Sequence, residues 1–228
     1  MSVHRPRLLL ASSLLGLVTI LIGLLMAFIF PVNLELPDGF FTPIIAFEFA
    51  ALPSDLSYLM GEDAQTASSR EAMMRGLYLD MVFPFCYAGF LALLLVRQAV
   101  TGYRVALLGV PFAIAIIPLD IRENLTLLSI LAELTDPVAL EILLARLAID
   151  TWLKWGAIAL AMLPLGVACL QRSDKTGAAL SVLASGSVFL CWSSGTIPIL
   201  AEIMGVCVLL FFLGWTLREC RLLYRPAS

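Results

Sequence analysis

Charged residues are scarce in this 228-residue chain. Asp, Glu, Lys and Arg make up 14% of it, against about 25% in an ordinary soluble domain, while 61% is hydrophobic and the mean hydropathy is +0.99. A soluble globule is excluded. Histidine is rarer still: the single residue, His4, lies in a basic tail, so histidine-ligated zinc, histidine-ligated haem and Ser-His catalysis all lack their central group. The five cysteines, Cys86, Cys169, Cys191, Cys207 and Cys220, form no C-x-x-C pair, which argues against a disulfide framework and against thiol redox chemistry. No P-loop and no G-x-G-x-x-G is present, so neither a nucleotide nor any other cofactor is implied. Ser185-Gly186-Ser187 and Ser193-Ser194-Gly195 read as packing and turn residues. Fourteen Lys and Arg against seventeen Asp and Glu give a net charge of −3, and the basic residues nowhere gather into a phosphate-tracking patch. Nucleic acid is not expected as a partner.

Long apolar runs are what the chain has in abundance. A spanning helix needs about 20 apolar residues to cross roughly 30 Å of hydrocarbon. Leu8 to Phe30 supplies 23 without a charge. This run is too long for a signal-peptide core and has no small-residue cleavage site nearby, so it reads as a retained first helix. Five further spans are expected near 69–97, 104–132, 147–171, 177–193 and 197–217. The fold expected is all-α, a polytopic helical bundle of six spans forming one integral membrane domain over residues 1–228, with both termini on one side. Ser68 and Glu71 have the spacing of a capping box for the second span, and Pro198 suits the first turn of the sixth. The short fifth span is rich in Gly and Ser, which favours close helix packing. Of two long loops, 31–68 contains an apolar stretch, Phe40 to Ala51, too short to span and expected as an interfacial or re-entrant segment capping the bundle. The other, 133–146, contains a helix start at Asp136-Pro137.

The basic residues orient this arrangement. Arg5, Arg7, Arg97, Arg104, Arg172, Lys175, Arg218, Arg221 and Arg225, nine in all, fall on one side; Arg70, Arg75, Arg122, Arg146 and Lys154 fall on or near the other. The positive-inside rule makes the termini cytoplasmic, in a cell membrane that would be the cytoplasmic membrane of a bacterium. Fifteen of the seventeen acids lie on or near the opposite side, leaving only Asp174 and Glu219 with the cytoplasmic arginines.

Ionisable groups inside a bilayer are costly and face the bundle interior or a watery cavity, which makes them candidates for function. At a rise of about 1.5 Å per residue, Asp80, Asp120, Lys154 and Glu202 stand about 24 to 27 Å above the arginines of their own helices. Four helices thus bring a charge to one height, below the segment that carries Glu48. Asp120, Glu123 and Asn124 sit at i, i+3 and i+4 and share a helix face, from which Arg122 points away. Pro118 and Pro84 each remove a backbone hydrogen bond beside these acids, and Tyr87, seven residues from Asp80, extends the polar stripe inward. The candidate ligand-binding set is therefore Glu48, Asp80, Tyr87, Asp120, Glu123 and Asn124, with no catalytic residue assigned. The alternative is structural: Asp80, Asp120 and Glu123 pairing with Arg122, Lys154 or Arg75 to fix helix packing. Glu202 reads as an acid favoured by its helix N-terminus, and Trp152, Lys154 and Trp155 as an interfacial aromatic and snorkelling anchor. Asn124-Leu125-Thr126 matches a glycosylation sequon in a poor place for an acceptor.

Carboxylates, an amide and a tyrosine can bind a cation, relay protons, hold a basic or hydroxylated lipid group or coordinate a hard divalent metal through oxygen; no metal site is specified by their spacing. Thr42-Pro43-x-x-Ala46-Phe47-Glu48, Leu79-Asp80-x-x-Phe83-Pro84-x-x-Tyr87 and Asp120-x-x-Glu123-Asn124 resemble segments of a group of small multi-pass membrane proteins with no assigned activity, over about the first two thirds of the chain. The resemblance implies that these six residues act as one set. The architecture is also loosely similar to that of the emopamil-binding-like sterol isomerases and receptors, which place acids near a lipid-accessible pocket; no motif is shared. Three functions are compatible with the residues: an outward-facing acidic pocket taking a small molecule, cation or lipid for transport or sensing; a membrane enzyme acting on a lipid or isoprenoid by carboxylate acid/base chemistry; and an assembly or scaffold subunit gripping a membrane protein partner. Membrane lipids surround it in each case.

Overall fold

A computed structural model describes residues 4–32 and 34–224, with side chains from Pro6 onward. Arg225 and the side chains of His4 and Arg5, used above, lie outside the described residues. The chain is an all-α polytopic bundle: α1 (His4–Ile29), α2 (Pro43–Glu48), α3 (Ala64–Asp80), α4 (Phe83–Val100), α5 (Val110–Ala132), α6 (Pro137–Gln171), α7 (Lys175–Ser193) and α8 (Pro198–Leu223). Tight 3-10 segments, Pro53–Leu59 and Arg104–Gly109, precede α3 and α5. Among the described residues, six helical stretches are long and apolar enough to cross a membrane, with α3 and α4 together forming the second.

Local chemistry explains where the helices start and stop. Pro84 cannot donate a backbone hydrogen bond, and its ring crowds the carbonyl of residue 80, so the second crossing breaks at Met81 and Val82, between α3 and α4. Pro118, by contrast, is accommodated inside α5. The second crossing also begins earlier than expected. Asp63, not Ser68, caps it, its carboxylate accepting from Thr66 N at 2.9 Å, and Ser68 and Glu71 lie inside the helix. Those hydrogen bonds hold the exposed Asp63 carboxyl below the usual carboxylate range, the Thr66 hydroxyl contributing most. Within the region 133–146 only 133–136 is a loop, and the expected start at Asp136-Pro137 opens the long helix α6. Asp136 accepts from Val138 N and Ala139 N, Pro137 opens the helix, and Leu140, Leu144 and Leu147 recur along one buried face, so α6 runs unbroken for 35 residues. The turn from α6 to α7 uses Ser173 at φ 60°.

α6 is the most buried of the spans, at 61% over its apolar window, and α1 the least, at 22%, with Leu21 and Phe28 facing outward. The small residues of α7 do pack closely on α6: a Cβ on Gly166 would stand 3.2 Å from that of Ser181. Two apolar clusters fill the interior. One contains Phe90, Leu91, Leu94, Phe211, Phe212 and Trp215, toward the arginine-rich ends of α4 and α8; the other, with Phe47, Leu56, Leu59, Met73, Leu77 and Leu127, lies beneath the segment preceding α3. The short α2 buries Ile45 through Glu48, so the Phe40 to Ala51 stretch turns inward as a cap on the bundle. Arg70 holds the second cap segment by donating to the carbonyls of Leu59 and Gly61 at 2.9 and 2.7 Å.

Candidate functional site

Between the two apolar clusters the chain brings together a buried polar cluster from five helices. Glu48 from α2, Asp80 from α3, Tyr87 from α4, Asp120, Glu123 and Asn124 from α5, and Lys154 from α6 are each less than a tenth exposed. The i, i+3, i+4 spacing on α5 does what geometry requires of it: Asp120, Glu123 and Asn124 face inward, while Arg122 turns to the other side and pairs with Asp150 at 2.5 Å.

Lys154 is the hub. Its Nζ lies 2.9 Å from Glu48 Oε1, forms an ion pair with Glu123 Oε2, and sits 5.1 Å from the ring centre of Trp155. Glu48 is held on every side: Trp155 Nε1 donates to its Oε2 at 3.0 Å, and Thr151 Oγ1 donates to its backbone carbonyl at 3.1 Å. Deeper in, the Tyr87 hydroxyl donates to Asp120 Oδ2, and Asn124 Nδ2 donates to Asp120 Oδ1 at 3.4 Å. Asp80 faces the same group, with Lys154, Glu48 and Glu123 as the charges around it. All six candidate residues are therefore brought together. Two acceptors, Glu123 Oε1 and Asn124 Oδ1, are fully buried without a hydrogen-bond partner, although buried polar atoms are normally satisfied.

A cavity reaches the cluster from one side, and aromatic rings pack beneath it. The cavity, of about 400 Å³ and lined by Pro37, Phe40, Glu48, Phe49, Thr151 and Trp152 among others, reaches Glu48 from the side of the cap segments. Below the cluster, Tyr87 packs against Phe83 and edge-on against Phe212, and Phe212 against Phe90 and Phe211. A second cavity of about 410 Å³, beside Met60, Arg70, Leu131 and Thr135, contains no residue of the polar cluster.

Two expectations need correction. Lys154 and Trp155 are not an interfacial anchor: they are 4% and 7% exposed and spend their donors on Glu48 and Glu123, while only Trp152 remains half-buried, edge-on to Phe49. The signal that would have found Lys154 is its register, seven residues after Leu147 and four before Ile158 on the buried stripe of α6. Glu202 shares no contact with the polar cluster; it accepts from Phe41 N, Thr42 N and Thr42 Oγ1 at 2.9, 2.8 and 2.7 Å and so pins the entry to α2 onto α8. Of the structural partners considered, Lys154 does pair with Glu123, whereas Arg75 pairs weakly with Glu71 at 3.9 Å.

Comparison with protein-family models, with curated proteins and with solved structures gave no match.

Proposed function

We propose that this multi-pass membrane protein takes up a small cation, or the cationic group of a small molecule or lipid, into its acidic cluster from the outer side of a cell membrane, for transport or sensing. One observation carries the reading. Four carboxyl groups, Glu48, Asp80, Asp120 and Glu123, surround one ammonium in a buried interior. With its four carboxyl groups and one ammonium all in their ordinary ionised form the cluster would hold a net charge of −3, which a low-dielectric interior does not sustain. Protons or an incoming cation must balance it, and each can replace the other. The surplus of acceptors at Glu123 Oε1 and Asn124 Oδ1 supports a ligand that brings donors or positive charge.

The orientation follows from the basic residues on the opposite end, and the cavity beside Glu48 is the natural entry. The test uses purified protein in phosphatidylcholine nanodiscs at low buffer strength. Sodium, ammonium and ethanolamine are added in turn while a pH-sensitive dye reports protons and thermal unfolding reports Tm. At least one of the three should release protons and raise Tm, and Asp120→Asn and Glu123→Gln, still folded, should lose both responses. A wild-type protein that behaves like the two variants toward all three probes would overturn the reading.

A further inference from the structure

The other end of the bundle carries the opposite surplus. Arg97 and Gln98 at the end of α4, Arg172 after α6 and Arg218 near the end of α8 converge there around two acids, Asp174 and Glu219, and Lys175 follows Asp174 at the start of α7. Both acids are occupied. Glu219 accepts from Ser12 Oγ at 2.7 Å and pairs with Arg97; Asp174 pairs with Arg218 and accepts from Gly177 N at 3.1 Å. Burial works against the Asp174 charge, but the Arg218 guanidinium and the Gly177 N–H hold its carboxyl below the usual carboxylate range.

Arg172 is left without a carboxylate among the described residues; its one side-chain bond is a donation of 3.4 Å to Gln98 Oε1. Four cations against two acids leave +2. The unpartnered buried atoms here include two donors: Gln98 Nε2, on a residue 1% exposed and tied to Arg172 through its other amide atom, and Arg97 Nε. Beside them the 19-residue α7 begins, its N-terminus capped by the Asp174 carboxylate. Gly177 lets the arginine lie directly on that first turn, since a Cβ there would stand 2.7 Å from Arg218 Nη1.

We infer that this end is an anion site for a phosphate-bearing group, either the headgroup of an anionic lipid or a free phosphate, held by Arg172 and Lys175 over the Gln98 amide and Arg97 Nε. Planar guanidinium groups match phosphate oxygens, and basic clusters between spans on the cytoplasmic side are suited to lipid headgroups. The inference stands apart from the acidic cluster.

Native mass spectrometry and thermal unfolding of the whole protein test it in three settings: phosphatidylcholine nanodiscs, the same with one fifth phosphatidic acid, and the first with added inorganic phosphate. Wild type should gain Tm and retain bound phosphatidic acid if the source is a lipid, or gain Tm with inorganic phosphate if it is a soluble group. Arg172→Gln, at an exposed residue without an ion pair, should weaken that response about fivefold, and Lys175→Gln similarly. Arg75→Gln at the opposite end should leave it unchanged. No response to either probe, or the same response in Arg172→Gln as in wild type, overturns the site.

Discussion

At the acid-rich end, four carboxyl groups share one ammonium, and the buried atoms without partners are the acceptors Glu123 Oε1 and Asn124 Oδ1. The arginine-rich end reverses this: two carboxylates are each engaged by an arginine, a third guanidinium stands over, and the unpartnered atoms include the donors Arg97 Nε and Gln98 Nε2. Both ends pull charge out of water, and both use contacts between helices far apart in sequence. They differ in what completes them. Positive charge would finish the first and negative charge the second, while the aromatic layer of Phe90, Phe211, Phe212 and Trp215 lies between. A protein needing only rigid packing would balance each cluster within itself, because an uncompensated buried charge is more costly than a well-packed apolar group.

Breaking the comparison at its hub has the largest expected effect. Lys154→Met removes the only cation facing four acids and should destabilise the fold by about 4 kcal/mol, read as lost Tm or lost folded yield; Glu123→Gln, which removes a surplus acid, should cost much less. At the other end the order of sensitivity changes, because there the acids are the scarce partners. Glu219→Gln, which strips Arg97 of its carboxylate, should cost about 3 kcal/mol by reversible unfolding in mild detergent. A smaller step sharpens the acidic cluster alone: Trp155→Phe keeps the ring but loses the donor to Glu48 Oε2, at about 2 kcal/mol. The smallest separates helix starts from both clusters, with Asp136→Ala costing about 1 kcal/mol while Ser68→Ala leaves Tm unchanged.

Most of the topology could be read from the chain because apolar length and the sorting of arginines from acids are one-dimensional properties. The common face of Asp120, Glu123 and Asn124 was equally legible, since helical spacing fixes it. Lys154 was misread because Trp152 and Trp155 beside it imitate an interfacial belt, and what distinguishes the two cases is whether the helix face is covered, a tertiary fact. Taken as a loop, 133–146 also hid the stripe of Leu140, Leu144 and Leu147 that sets the inward register of Lys154. Ser68 lost the cap to Asp63 because two competing caps five residues apart are decided by where the preceding segment, pinned by Arg70, lets the helix begin. The pairing of Ser12 and Arg97 with Glu219 joins three helices and has no local signature at all.

The interruption at Met81 and Val82 has a mechanical meaning. Asp80 ends the upper rod and Tyr87 belongs to the lower one, so a tilt of α3 would carry one acid relative to Lys154 while the tyrosine stayed seated on Phe212. A crossing jointed there would act as a lever whose pivot lies just below the carboxylate it carries, and the number of acids in reach of the ammonium would follow one angle.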